Sequence, residues 1–222
     1  MLRVGNDIVD LTHPHAKGKS RDLRFLKRVF LPDEERQILA SHEPDTMLWT
    51  LWTGKEAAYK VILKDNPDVP STPRLYKVSL DRIDATSEGV SVPDGEAFLG
   101  AVDTPVGTIN LCTLVTPDYV HSIGISFPSF DALRDRVVSD VEQLCSPEQT
   151  APADESFHVR NAAKRRLSRC LEVKCDLIEI RRTRGMRGLE PPYVYFHGQP
   201  APIDISLSHD GAFIAYAFTL PS

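Results

Sequence analysis

No two of the four cysteines, Cys112, Cys145, Cys170 and Cys175, form a CxxC pair, and histidines at metal spacing are missing around them. That argues against a structural zinc site and leaves reduced, mostly buried thiols as the plain reading. Long apolar runs are missing as well. Arg3, Asp7 and Asp10 interrupt the N-terminal MLRVGNDIVD, so neither a signal peptide nor a membrane span is expected there, and a cytoplasmic protein is.

What is present is an ordinary globular balance, 41% hydrophobic and 26% charged residues over 222 positions. A chain of that length can bury a real core in one large or two small units without staples. The net charge is −5, yet the stretch from Ser156 to Gly188 carries ten Lys or Arg against three acids. Such a patch suits nucleic acid, an acidic protein or a phosphorylated cofactor, and composition does not choose among them.

The pattern along the chain predicts an α+β protein. Leu2 to Val9 reads as a short apolar strand. In the stretch Phe25 to Ala40, Pro32 followed by Asp33, Glu34 and Glu35 marks a helix start, acids at the positive end of the dipole. Thr46 to Leu63 lacks proline and holds only Gly54, with Leu48, Trp52, Tyr59 and Ile62 at helical spacing, which predicts one long helix. After a loop with three prolines from Asn66 to Pro73, strands are expected at 76–83, 97–102, 108–115 and 120–126. The pattern then predicts a helix from Ala132 to Leu144, a polar connector from Ser146 to Glu155 and a basic helix from Phe157 to Leu171. Further strands are expected at 176–182, 203–207 and 212–219. Comparable apolar β segments, SIGISF at 122–127 and AFIAYAF at 212–218, close two halves divided as 1–128 and 129–222. Each half is read as a helix on a small, mostly antiparallel sheet.

Three segments could carry chemistry. GNDIVDL at 5–11 is read as putting Asp7 at the end of a buried strand and near a turn, where a carboxylate could hold a metal or merely cap the turn. WTGKEAAYK at 52–60 sets Trp52, Glu56 and Lys60 on one helix face, which could equally be an exposed Glu–Lys pair worth about 0.3–0.5 kcal/mol. SLSHDG at 206–211 puts Ser208 and His209 at a strand end before a glycine that permits a tight turn. A lone histidine is more often structural than catalytic.

Taken in order, these segments resemble the motif trio of the 4′-phosphopantetheinyl transferase superfamily: G-x-D, W/F-x-x-K-E-A-x-x-K and S-H-[SDE]. The GNDIVDL form and the motif order resemble the short holo-acyl-carrier-protein synthases, whereas the length resembles the larger surfactin-synthetase-type members. The larger members read G-I-D-I-E, with a third acid where this chain has Val9, and Asp10 matches the last acid of the short pattern as either an outer-shell or a turn residue. The short members build their site between subunits, so the resemblance implies a monomeric pseudo-dimer with its site between the halves. It implies Mg²⁺ on Asp7 and Glu56, coenzyme A as the donor substrate, and an apo acyl or peptidyl carrier protein as the partner. Lys60 would contact phosphate, and the serine proton would pass to Glu56 directly or through a metal-bound water. His209, Ser208, Arg160, Lys164 and Arg187, the last preceding a family-like G-x-P at Gly198 to Pro200, would bind the coenzyme. Neither nucleic acid nor membrane is expected as a partner, since the basic stretch lacks interleaved aromatics. The alternative is a non-catalytic module that holds coenzyme A or a carrier protein.

Overall fold

The computed structural model describes residues 1–83, 95–127, 136–144, 152–185 and 188–221. The first sheet contains β1 (Val4–Asp10), β2 (Lys77–Ile83), β3 (Glu96–Thr104), β4 (Gly107–Val115) and β5 (Tyr119–Ile125), antiparallel in the order β1-β5-β4-β3-β2. Three helices precede β2: α1 (Leu23–Val29), α2 (Pro32–Ala40) and α3 (Pro44–Leu63). Asp22 caps α1 by accepting from the Phe25 N–H, and Glu34 reaches back from the first turn of α2 to the Leu31 N–H at 2.8 Å. Both are standard answers to the orphan donors of a helix start.

The second sheet contains β6 (Val137–Gln143), β7 (Ile178–Arg181), β10 (Tyr193–Phe196), β11 (Gln199–Asp210) and β12 (Phe213–Thr219), in the order β6-β12-β11-β10-β7. One helix, α4 (Pro152–Leu171), packs on it. A two-strand ribbon, β8 (Arg184–Gly185) with β9 (Gly188–Leu189), is inserted before β10. Apart from the ribbon, the two sheets follow one plan: first strand, helix, then four strands of which the last pairs back to the first.

The registers coincide too. Val4 faces Ile125 and Asp10 faces Tyr119 in the first sheet, while Val137 faces Thr219 and Gln143 faces Phe213 in the second. RVGNDIVDL at 3–11 therefore has a counterpart in RVVSDVEQL at 136–144, and Asp140 holds the place of Asp7. In the same frame Leu114 holds the place of Ser208, and Val115 that of His209.

This corrects the helix expected from Ala132 to Leu144, since residues 137–143 form the edge strand β6. Apolar residues at 133, 137, 141 and 144 match a helical period, but all three apolar residues of the strand, Val137, Val138 and Val141, are β-branched and fit a pleated, half-buried surface. The connector also ends earlier than expected, because α4 begins at Pro152.

Each sheet carries its helix on one face, and the other faces meet. Ile8 packs with Phe213 and Ala215, and Val4 packs with Ile123, Ile125 and Ala217. The edge of β1 not used by β5 is closed by side chains from β11 instead of by another backbone. Val4, Asn6, Ile8 and Asp10 N–H groups donate to Asp204 (2.7 Å), Ser206 (2.9 Å), Ser208 (3.2 Å) and Asp210 (2.8 Å). An open strand edge is thus satisfied without a continuous ladder.

Candidate active site

Two glycines let α3 lie close over β1 and β5. A Cβ on Gly5 would stand 2.1 Å from the Ala57 carbonyl oxygen, and one on Gly124 would stand 3.3 Å from it. Because side chains alternate along a strand, Gly5 and Asp7 share the face that α3 covers. The close approach at Gly5 therefore brings Asp7 within reach of the helix. Lys60, near the end of α3, donates to Asp7 Oδ1 at 2.7 Å and to the Asn6 carbonyl at 2.9 Å.

Asp7 uses its oxygens unequally. Oδ1 accepts from Lys60 and from the Ser208 hydroxyl at 3.1 Å, whereas Oδ2 accepts no hydrogen bond from the described residues. Glu56, one turn before Lys60, is mostly buried, and its carboxylate likewise makes neither hydrogen bond nor ion pair with them. Burial, reinforced by the nearby Asp7 charge and opposed by Lys60, pushes Glu56 up to about 7. A half-buried acid pair with three oxygens left unbonded by the described residues is short of positive charge.

Those oxygens fit a hard divalent cation. No group of three or more His, Cys, Asp or Glu among the described residues could hold a metal by itself, so Asp7 Oδ2 and Glu56 would leave the remaining positions to water and phosphate oxygens. Magnesium is normally bound in that way.

A cleft opens beside the acids. Its polar compartment, about 240 Å³, is lined by Asp7, Lys60, Lys64, Arg182, Ser208 and His209 among others. It continues past Lys60, Leu63, Arg182, Leu189 and Pro191 into a second compartment of about 640 Å³ that reaches Glu56, Tyr59 and Pro67. The walls come from α3 on one side and from the β7–β10 connection and β11 on the other.

Of the residues predicted from sequence, Asp7, Glu56, Lys60, Ser208 and His209 come together on this cleft. His209 Nδ1 is tied to the buried Glu155 of α4 at 2.6 Å, which fixes the ring and leaves Nε2 for a ligand. Arg160 donates to Ser156 Oγ and lies near Arg182, while Lys164 is not among the residues lining either compartment. Arg187 lies outside the described residues.

Arg182 was not singled out by its motif context, yet it lines both compartments. Burial, with the Arg160 cation beside it, holds its guanidinium below the ordinary value, an environment that favours a bound anion. The only hint in sequence was its place in the basic stretch.

Asp10 proves to be a turn acid. Its Oδ1 accepts from the Thr12 N–H and hydroxyl, and its Oδ2 accepts from the Ala212 N–H at 2.9 Å. Burial alone would raise the Asp10 pKa, and the bonds from Ala212, Thr12 and His13 more than offset this, so the net shift is downward. Gly211, at φ +54°, must lack a side chain because a Cβ would stand 2.2 Å from Asp10 Oδ2.

Lys55, beside Glu56 in the motif, faces away from the cleft. It is buried with Glu34 at 2.7 Å and donates also to the Tyr76 carbonyl. Among the described residues no helix is long and apolar enough to cross a membrane.

No curated protein matches the chain. A family model does: residues 3–97, from the strand that carries Asp7 through the helix that carries Glu56 and Lys60, match that of the 4′-phosphopantetheinyl transferase superfamily.

Proposed function

We propose that the protein transfers the 4′-phosphopantetheine arm of coenzyme A to a serine of an apo carrier protein, releasing adenosine 3′,5′-bisphosphate. The observation that carries this reading is the open acid pair, Asp7 Oδ2 and the Glu56 carboxylate, set against Lys60, Arg182 and His209 across one cleft. The match of residues 3–97 to the superfamily model supports phosphopantetheinyl transfer in general; the carrier partner and the holo-acyl-carrier-protein synthase type are our extension of it. So are the division of the chain at 128 and 129, its action as a monomer and its place in the cytoplasm.

In the reaction the serine oxygen forms a bond to the phosphorus that bears pantetheine, and the bond from that phosphorus to the bridging pyrophosphate oxygen breaks. Charge builds on phosphate oxygens, so the protein's work is chiefly positioning and electrostatic. Lys60 and Arg182 face the pyrophosphate, and His209 Nε2 contacts the nucleotide side. Glu56, beside the attacking hydroxyl, accepts the serine proton directly or through a water. Asp7 and Glu56 would hold magnesium, which supplies neutralisation of pyrophosphate charge. The 640 Å³ compartment flanked by Tyr59, Leu63 and Pro191 suits the pantetheine arm.

The test is the intact mass of an apo carrier protein after incubation with the full chain, coenzyme A and Mg²⁺. A gain of one phosphopantetheine, lost with Glu56→Ala and with EDTA, is the expected result. Binding of coenzyme A without any gain on fatty-acid, polyketide and peptide-synthetase carriers would instead make the protein a binding module.

A further inference from the structure

The Ser208 hydroxyl is occupied on both sides. It accepts the Ile8 N–H at 3.2 Å and donates to Asp7 Oδ1 at 3.1 Å, and the residue is 6% exposed. With Lys60 on the same oxygen, Ser208 fixes the rotation of the Asp7 carboxylate so that Oδ2 is the oxygen left over. We propose that Ser208 is a positioning residue for the metal-binding carboxylate and not a contact for coenzyme A. This rests on the function proposed above.

Two neighbours sharpen the assignment. Ser206 closes β1 in the same manner, accepting the Asn6 N–H at 2.9 Å, but no bond from its hydroxyl to Asp7 exists. The position is also not serine by necessity of the strand, because its counterpart in the first sheet is Leu114. What distinguishes Ser208 from both is the donation across the joint between the sheets to a carboxylate that faces the cleft. Groups that orient a metal ligand affect affinity for the ion more than affinity for a remote substrate group.

The experiment compares the full-length wild type with Ser208→Ala, Ser208→Thr and Ser206→Ala. Mg²⁺ is titrated by thermal shift with and without coenzyme A, and KM for coenzyme A is measured at saturating Mg²⁺. Ser208→Ala is expected to weaken Mg²⁺ binding roughly ten-fold with KM for coenzyme A unchanged. Ser208→Thr keeps the wild-type affinity, and Ser206→Ala keeps it even though it removes an equivalent backbone bond. Equal Mg²⁺ affinity in Ser208→Ala and Ser206→Ala, or a rise in KM for coenzyme A with Mg²⁺ affinity intact, overturns the proposal alone. A wild type indifferent to Mg²⁺ overturns it together with the function on which it rests.

Discussion

Glu56 is held as a buried acid with no hydrogen bond or ion pair from the described residues, and that has a measurable cost. Its ionisation in the fold is pushed up to about 7, against about 4.3 for an unfolded chain. Between those values the unfolded state is ionised while the folded state keeps its proton, so stability falls as pH rises through this window and is lowest above it. Glu56→Gln should therefore stabilise the metal-free protein by on the order of 2–3 kcal/mol at pH 8, with the gain shrinking as pH approaches 5, while abolishing transfer. Urea unfolding at the two pH values checks it, and equal gains at both would refute the account. Mg²⁺ should raise the melting temperature of the wild type and leave that of Glu56→Gln unmoved. At this scale the motifs singled out Asp7, Glu56, Lys60 and His209, which the fold brings to one cleft. They were silent on Arg182, on the bond from Ser208 to Asp7 and on the Lys55–Glu34 pair, because each depends on a partner far away in sequence.

Helix α3 is held in place by two unlike devices. Gly5 allows it to lie against β1, and the buried Lys55–Glu34 pair ties it to α2 and, through the Val78 N–H, to β2. Gly5→Ala cannot be absorbed by a side chain, since its first obstacle is backbone oxygen. It should cost about 1–3 kcal/mol, displace Glu56 and Lys60 from Asp7, and weaken transfer more than it weakens folding. Removing one member of the buried pair, as in Glu34→Ala, should cost about 3–5 kcal/mol because a charged ammonium is left without its partner. Replacing Lys55 as well by methionine should recover a good part of that, which denaturant titration of the three variants would measure. Element type was mostly legible from periodicity. It failed at β6, where valines at helical spacing also suit a strand, although the likeness of RVVSDVEQL to RVGNDIVDL was the signal that could have corrected it. The two-residue strands β8 and β9 are too short for any period to reveal.

Across the whole molecule, each half retains what the other has lost. The first keeps Asp7, Glu56 and Lys60 but has Leu114 and Val115 where the second has Ser208 and His209. The second keeps Asp140 in the place of Asp7, on an exposed edge, and when its Lys164 is aligned with Lys55 it has Arg165, bound to Glu142, in the place of Glu56. Among the described residues, a complete set of groups comes together where the two sheets meet. Residues 1–128 expressed alone should therefore lack both the Mg²⁺ response and a sharp unfolding transition, because the exposed β1 edge and the Ile8 face would have no cover. The full chain should unfold in one cooperative step. Two resolved transitions in calorimetry would show that the halves stand independently.

The side chains that close β1 also make it a clock. The amide hydrogens of Val4, Asn6, Ile8 and Asp10 are bonded to Asp204, Ser206, Ser208 and Asp210 and to nothing in their own sheet, so deuterium can reach them only when the two sheets part. Their exchange should be uniform along the strand and slower with coenzyme A and Mg²⁺ in the cleft. Those four protons count how often the joint opens, one residue away from the carboxylate that must not move.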